Sequence, residues 1–236
     1  DICFCHLSPK SIYTLCYSFE AGFTSSLLVK SFNKKIGRNR MKLHESPSPN
    51  ARRVTVFMAE KGIECERVSV DIRGGENIQS DYLKKNPAGR VPVLELDDGT
   101  FISESMAICR YLEAIQPEPN LFGSTAIEVA NVEMWQRRVE LNLFLEIAGA
   151  FRNITGFFKD RETCVEEWGQ VCAEKAPKAL AMFDDQLSNS EYLAGDRFTV
   201  ADITLAITLD FSEMVKVAPL PSLGNISRWR ETVTAR

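Results

Sequence analysis

The sequence predicts an α/β domain over residues 41–116, a short linker at 117–124, and an all-helical domain over 125–236. Three observations carry that prediction. Strand-like alternation and helix-like spacing take turns over the first stretch. The run Gln116-Pro117-Glu118-Pro119-Asn120 cannot continue a helix, and Gly123 reinforces the break. Beyond it no strand alternation returns.

The elements follow in order. Met41 and Leu43 sit at the alternate positions of a half-buried strand. SPSPN (46–50) is a dense cluster of breakers, in which Ser48-Pro49-Asn50 supplies N-cap chemistry and a proline suited to a first helical turn. Val54, Phe57 and Met58 then share one helix face, and Gly62 is placed to end it. Glu66–Ile72 alternates as a second strand until RGGE (73–76) breaks it. A further helix, a hairpin within NPAGRVPVLELDDGTFISES (86–105) and the helix SMAICRYLEAI (105–115) complete the α/β unit.

Val91-Pro92 is the most informative pair in that unit. A proline at the head of a strand has no N–H for the ladder, so it suits an edge or a specially shaped site. A cis bond there lets the Val91 backbone N–H and carbonyl point into a cleft. An extended peptide would pair with Val91 as an added strand, while Glu104 and Ser105 take a charged end of it.

In the second domain Val132, Trp135, Val139, Leu143 and Leu145 fall close to helical spacing, as do Ala176, Leu180, Phe183 and Leu187. Thr199-Val200-Ala201-Asp202 is a capping-box pattern with Asp in place of Glu, which assigns Thr199 and Asp202 to folding and not to chemistry. Ile203–Val215 is apolar nearly all round and belongs at the centre of this domain.

Composition narrows the function classes. A net charge of −4 leaves no basic footprint for nucleic acid. No apolar run reaches the roughly 20 residues of a membrane helix. Seven cysteines without a CxxC pair point to reduced thiols and a cytoplasmic protein, with Cys65 and Cys109 as small core residues. Residues 1–40 stand apart: Ser-rich, six basic residues against two acidic, three of the seven cysteines and no sustained period. We expect that segment to be an extension foreign to the fold, translated upstream sequence or an over-extended reading frame, with a transit peptide as the alternative.

With these residues in view, the chain resembles the cytosolic glutathione S-transferases over nearly all of 41–236. The resemblance is carried by SPSPNARRV, Asn86-Pro87, Val91-Pro92, Glu104-Ser105 opening its helix, and YLAGDRFTVADI (192–203), in this order and spacing. It implies a thioredoxin-like N-terminal domain, an all-helical C-terminal domain, glutathione as cosubstrate and a homodimer. Met41 sits where such chains typically begin. Ser48 matches the catalytic serine of the serine-type members; Asn50 takes the place of the cysteine or asparagine used by some bacterial classes, and Ser46 is third choice. No tyrosine occupies the turn.

That chemistry has a clear physical demand. A glutathione thiol has a pKa of about 8.5, and the thiolate is the nucleophile. Two units of depression require about 2.7 kcal/mol of preference for the anion. One hydroxyl bond to a charged acceptor contributes about 1.5–3 kcal/mol and a helix N-terminus about 0.3–1 kcal/mol. On this reading Glu104 takes the γ-glutamyl ammonium, Ser105 its carboxylate, Val91 the cysteinyl backbone, and Arg90 the glycyl carboxylate. Arg52 and Arg53 add positive potential, and His44 is a packing residue. A small apolar electrophile is the expected second substrate, with Trp135, Phe144, Phe151, Phe157 and Phe158 as candidate walls. The alternatives are a non-catalytic binding or assembly module built on the same fold, and a glutathione-dependent isomerase or disulfide reductase. Ser-Pro-Asn replaces the Ser-Ser-Cys turn usual in maleylacetoacetate isomerase, which weighs against the isomerase.

Overall fold

The computed structural model describes residues 41–236, so the expected extension at 1–40 lies outside the described residues. The sheet has four strands in the order β2-β1-β3-β4: β1 Lys42–Glu45, β2 Glu66–Ser69, β3 Val93–Glu95 and β4 Phe101–Ser103. β1 pairs with β2 in parallel and with β3 antiparallel, and β3 pairs with β4 antiparallel. The expected second strand is shorter than its alternation. Past Ser69 only the Val70 N–H still reaches Glu45, before the turn preceding Gly75 draws the chain away.

Helix α1 (Pro49–Lys61) forms as its sequence dictates. Ser48 is the N-cap, Pro49 opens the first turn, and Gly62 closes the helix at φ 63°, a left-handed conformation that glycine adopts without penalty. Val54, Phe57 and Met58 are buried beneath it. A 3₁₀ turn at Glu76–Ile78 and the single-turn α2 (Ser80–Leu83) lead to the β3–β4 hairpin, and α3 (Ser105–Ile115) packs beside α1.

The helical half comprises α4 (Ala126–Arg138), a π-helical segment Val139–Phe144, α5 (Leu145–Thr155), α6 (Glu166–Ser188), α7 (Val200–Val215) and α8 (Gly224–Thr234). Val132, Trp135, Val139 and Leu143 are buried, whereas Leu145 is 52% exposed. Its assignment to the apolar face is corrected: two residues past Leu143 is about 200° round a helix, and Ile147 takes the next core position. α7 runs through the centre with Ile203, Leu205, Ile207 and Leu209 all buried, and it packs against α1 as well as α4. Its start is held by Asp202. That carboxylate accepts from the Thr199 N–H and hydroxyl, the Leu193 N–H and the Trp229 indole, each at 2.9–3.0 Å. One acid thus ties the α7 cap to the 192–195 turn and to α8.

Two charged side chains lie on the buried face of α1, at Arg53 and Lys61, spaced at i and i+8 with Phe57 between. Lys61 Nζ donates to the carbonyls of Gln116 (2.8 Å), Pro117 (3.1 Å) and Pro119 (2.6 Å), and pairs with Glu113. The ammonium satisfies carbonyls that the proline-rich linker cannot bond to itself, so it pins the linker to α1. Lys61→Met should therefore lower the unfolding free energy by about 3 kcal/mol or more, and open the linker at 116–120 to proteolysis. A denaturation midpoint and cleavage pattern equal to wild type would contradict this tie.

Candidate functional site

Three segments leave the same end of the sheet. His44 pairs with Val93, and Val93 pairs with Ser103. The turn 46–50 after β1, the pair Val91-Pro92 before β3 and Glu104-Ser105 after β4 are therefore neighbours by strand register.

In the first segment, Ser48 has extended backbone (φ −155°, ψ 152°), and its Oγ accepts from the Ala51 N–H at 3.3 Å. The capping role uses a lone pair of the oxygen and leaves the hydroxyl proton available, because a serine hydroxyl both donates and accepts. Ser46 and Pro47 precede it on the same turn.

The second segment is clamped from below. Tyr82 Oη and Asn86 Nδ2 both donate to the Arg90 carbonyl, at 2.9 and 2.7 Å, and Asn77 Nδ2 donates to the Gly89 carbonyl. Burial pushes the Tyr82 phenol up to about 12, which keeps its proton on for this bond. The Val91–Pro92 peptide bond is cis. Among the described residues nothing bonds to the Val91 backbone N–H or carbonyl, so this half-buried residue presents an open pairing edge. The Arg90 side chain is exposed.

In the third segment Glu104 stands at φ 67° and ψ 116°, a backbone region that L residues with side chains rarely adopt. Its side chain is exposed and enters no ion pair among the described residues. Ser105, the first residue of α3, is buried, and no side chain caps that helix start.

Arg53 links the first and third segments, a role that sequence reasoning missed. Its Nη1 donates to Asn50 Oδ1 at 2.9 Å and to Ser105 Oγ at 2.6 Å, and its Nε donates to Thr204 Oγ1 on α7 at 3.0 Å. The guanidinium lies 5.5 Å from the Phe144 ring centroid and 3.9 Å from Glu140 Oε1. Burial lowers its pKa and Glu140 offsets only part of that; a guanidinium remains charged all the same. The available signal was its place on the buried stripe of α1, where a charge needs a partner. Arg52, next to it, faces outward and pairs with Asp210 at 2.8 Å.

Beside Ser48 opens a cavity of about 580 Å³, floored by Ser46, Pro47, Ser48 and Thr55 and walled by Ile207, Phe211 and Met214 of α7. The aromatic residues expected to wall it lie elsewhere. Trp135 packs edge-on against Phe183, and Phe144 and Phe151 pack at an angle against Phe211. Phe157 and Phe158 line a smaller cavity with Arg73 and Arg161. The α7 wall escaped sequence reading because a helix apolar all round does not show which side faces an opening.

Other candidates for chemistry are structural. Burial pushes the Cys109 thiol up to about 12, and burial also raises Cys65, so both are held as thiols and not as nucleophilic thiolates. His44 is 3% exposed and bonds Glu95 Oε2 at 2.6 Å, which holds the Glu95 carboxyl below its usual range.

Comparison with known proteins places this geometry. A family model described as the N-terminal domain of glutathione S-transferase matches residues 47–115, and one for the C-terminal domain matches 166–236. Glutathione S-transferase 2 of Saccharomyces cerevisiae is 33% identical over 204 residues, covering 84% of this chain and 88% of that protein. A crystal structure of a glutathione S-transferase domain-containing protein from Marinobacter aquaeolei superposes with a TM-score of 0.79 at 39% identity, covering 83% of this chain and 98% of that one. A class Gtt2 glutathione S-transferase of Vibrio parahaemolyticus is 42% identical with a TM-score of 0.69, covering 83% and 93%. The sheet half is thioredoxin-like, the rest is helical as in those structures, and the chain belongs to the glutathione S-transferase family, enzymes whose cosubstrate is glutathione.

Proposed function

We propose that the chain is a glutathione transferase in which Ser48 holds the glutathione thiol as a thiolate for attack on an apolar electrophile. The observation that carries the reading is the state of Ser48. It is fixed by its cap to Ala51 N–H, keeps a free proton, and borders the cavity beside the start of α1. Hydroxyl and helix end together supply about the 2.7 kcal/mol that two pKa units require. No fixed general base is needed, since the lowered pKa leaves the thiol ionised near neutral pH.

Glutathione would lie along Val91, its cysteinyl backbone pairing with the open N–H and carbonyl as an added strand. The γ-glutamyl ammonium would meet Glu104, which has no competing ion pair among the described residues, and the carboxylate would meet Ser105 at the uncapped start of α3. Arg90 is free to reach the glycyl carboxylate, and Asn50 is the second thiolate donor. The electrophile would enter from α7, against Ile207, Phe211 and Met214. Met134, Leu141 and Leu145, left 40%, 52% and 52% exposed, support assembly as a homodimer. Four described cysteines are free thiols, and no described helix is long and apolar enough to cross a membrane; both accord with a cytoplasmic enzyme.

Ser48→Ala should lower kcat/KM with a standard aromatic electrophile by about 30- to 100-fold, while KM for glutathione changes little. A variant with wild-type kcat would reduce Ser48 to a cap. The strain at Glu104 gives a second expectation. Glu104→Gly removes the side chain and relieves φ 67°, so it should raise stability by about 1 kcal/mol while raising KM for glutathione. Unchanged KM would remove Glu104 from the binding site.

A further inference from the structure

We propose that Arg53 is a positioning residue that sets the polarity of two donors in the glutathione site, the Asn50 carboxamide and the Ser105 hydroxyl, so that both face an anionic ligand. This rests on the reading of the site given above. The warrant is donor and acceptor chemistry. A guanidinium has five N–H donors and no acceptor. The Asn50 atom 2.9 Å from Arg53 Nη1 must therefore be the carbonyl oxygen, which turns the amide NH2 away from Arg53. Ser105 Oγ, 2.6 Å from the same nitrogen, must likewise accept, which turns its proton away. Among the described residues neither the Asn50 amide hydrogens nor the Ser105 hydroxyl proton finds an acceptor.

One buried cation thus leaves two free donors on the end of the sheet from which the ligand-binding segments emerge. Both suit anions: Asn50 a thiolate at the start of α1, Ser105 a carboxylate at the start of α3. A neutral or acidic residue at position 53 would let the amide and hydroxyl rotate to present the opposite polarity. The guanidinium itself has no such freedom. Thr204 Oγ1 holds Nε at 3.0 Å, the Phe144 ring covers it at 5.5 Å, and Glu140 stands 3.9 Å from Nη1. Lysine does not substitute, because a single ammonium lacks the planar fork that reaches α1, α3 and α7 at once.

The test uses the full chain and glutathione itself. Calorimetry measures the affinity for glutathione and for its analogue lacking the γ-glutamyl α-carboxylate, and ultraviolet absorbance measures the bound-thiol pKa. Arg53→Lys should weaken glutathione about tenfold or more, weaken the decarboxylated analogue distinctly less, and raise the bound-thiol pKa. On that pKa the Arg53→Lys/Asn50→Ala double variant should be no worse than the stronger single variant, because both remove one interaction. Asn50→Asp supplies an independent arm should Arg53→Lys fold poorly. It keeps a partner for Arg53 but cannot donate, so it should fold as wild type with a raised bound-thiol pKa. Losses that fall equally on both ligands and add to those of Asn50→Ala would make Arg53 a structural strut and overturn the inference. So would Asn50→Asp with an unchanged thiol pKa. Wild type that fails to bind glutathione would overturn the reading of the site and this inference with it, whereas binding by wild type with unaffected variants overturns the inference alone.

Discussion

Val93 is the residue on which the site depends. It pairs with His44 on one side and Ser103 on the other, and it is fully buried. Because β1 enters the site as β3 leaves it and β4 returns to it, this double pairing gathers the turn at Ser48, the open edge at Val91 and the start of α3. The register brings them to one end of the sheet, Arg53 then ties the first to the third, and a one-residue slip of β3 would turn its side chains to the other face.

Around that register the site is built from unsatisfied polarity in a satisfied frame. The carbonyls of Gly89 and Arg90 are held by Asn77, Tyr82 and Asn86, so the next residue, Val91, is the one left open. Ser48 gives a lone pair to the cap and keeps its proton. Glu104 sits in a backbone region that costs energy, a feature that tends to persist where surroundings enforce it at ligand sites. The frame is rigid because α1 is clasped by α3 and α7, with Lys61 securing its far end to the linker.

Much of this was legible in the sequence. Breaker residues and apolar spacing predicted α1, its caps at Ser48 and Gly62, and the α7 cap at Asp202, because these signals are local. Val91-Pro92 was legible as a strand entry and Glu104-Ser105 as a helix start, and the structure has both there. Long-range facts were not. Nothing near Arg53 in the chain reveals that Ser105 and Thr204 will meet it, and nothing in Asn77 or Tyr82 announces the carbonyls that they hold. Leu145 was misplaced because the apolar count was continued at a spacing no helix supports; the count holds through Val139 and Leu143 of the π segment and fails at the first residue after it. Trp135, Phe144, Phe151, Phe157 and Phe158 were the expected cavity walls, whereas the cavity beside Ser48 is lined from α7 by Ile207, Phe211 and Met214.

Glutathione bound at this end of the fold should carry its sulfur as a thiolate. The most direct measurement is an ultraviolet titration of glutathione bound to the wild-type protein, following thiolate absorbance against pH. A bound-thiol pKa of about 6.5 is expected, two units below the free value. Glutathione that binds and titrates at its free value would contradict it.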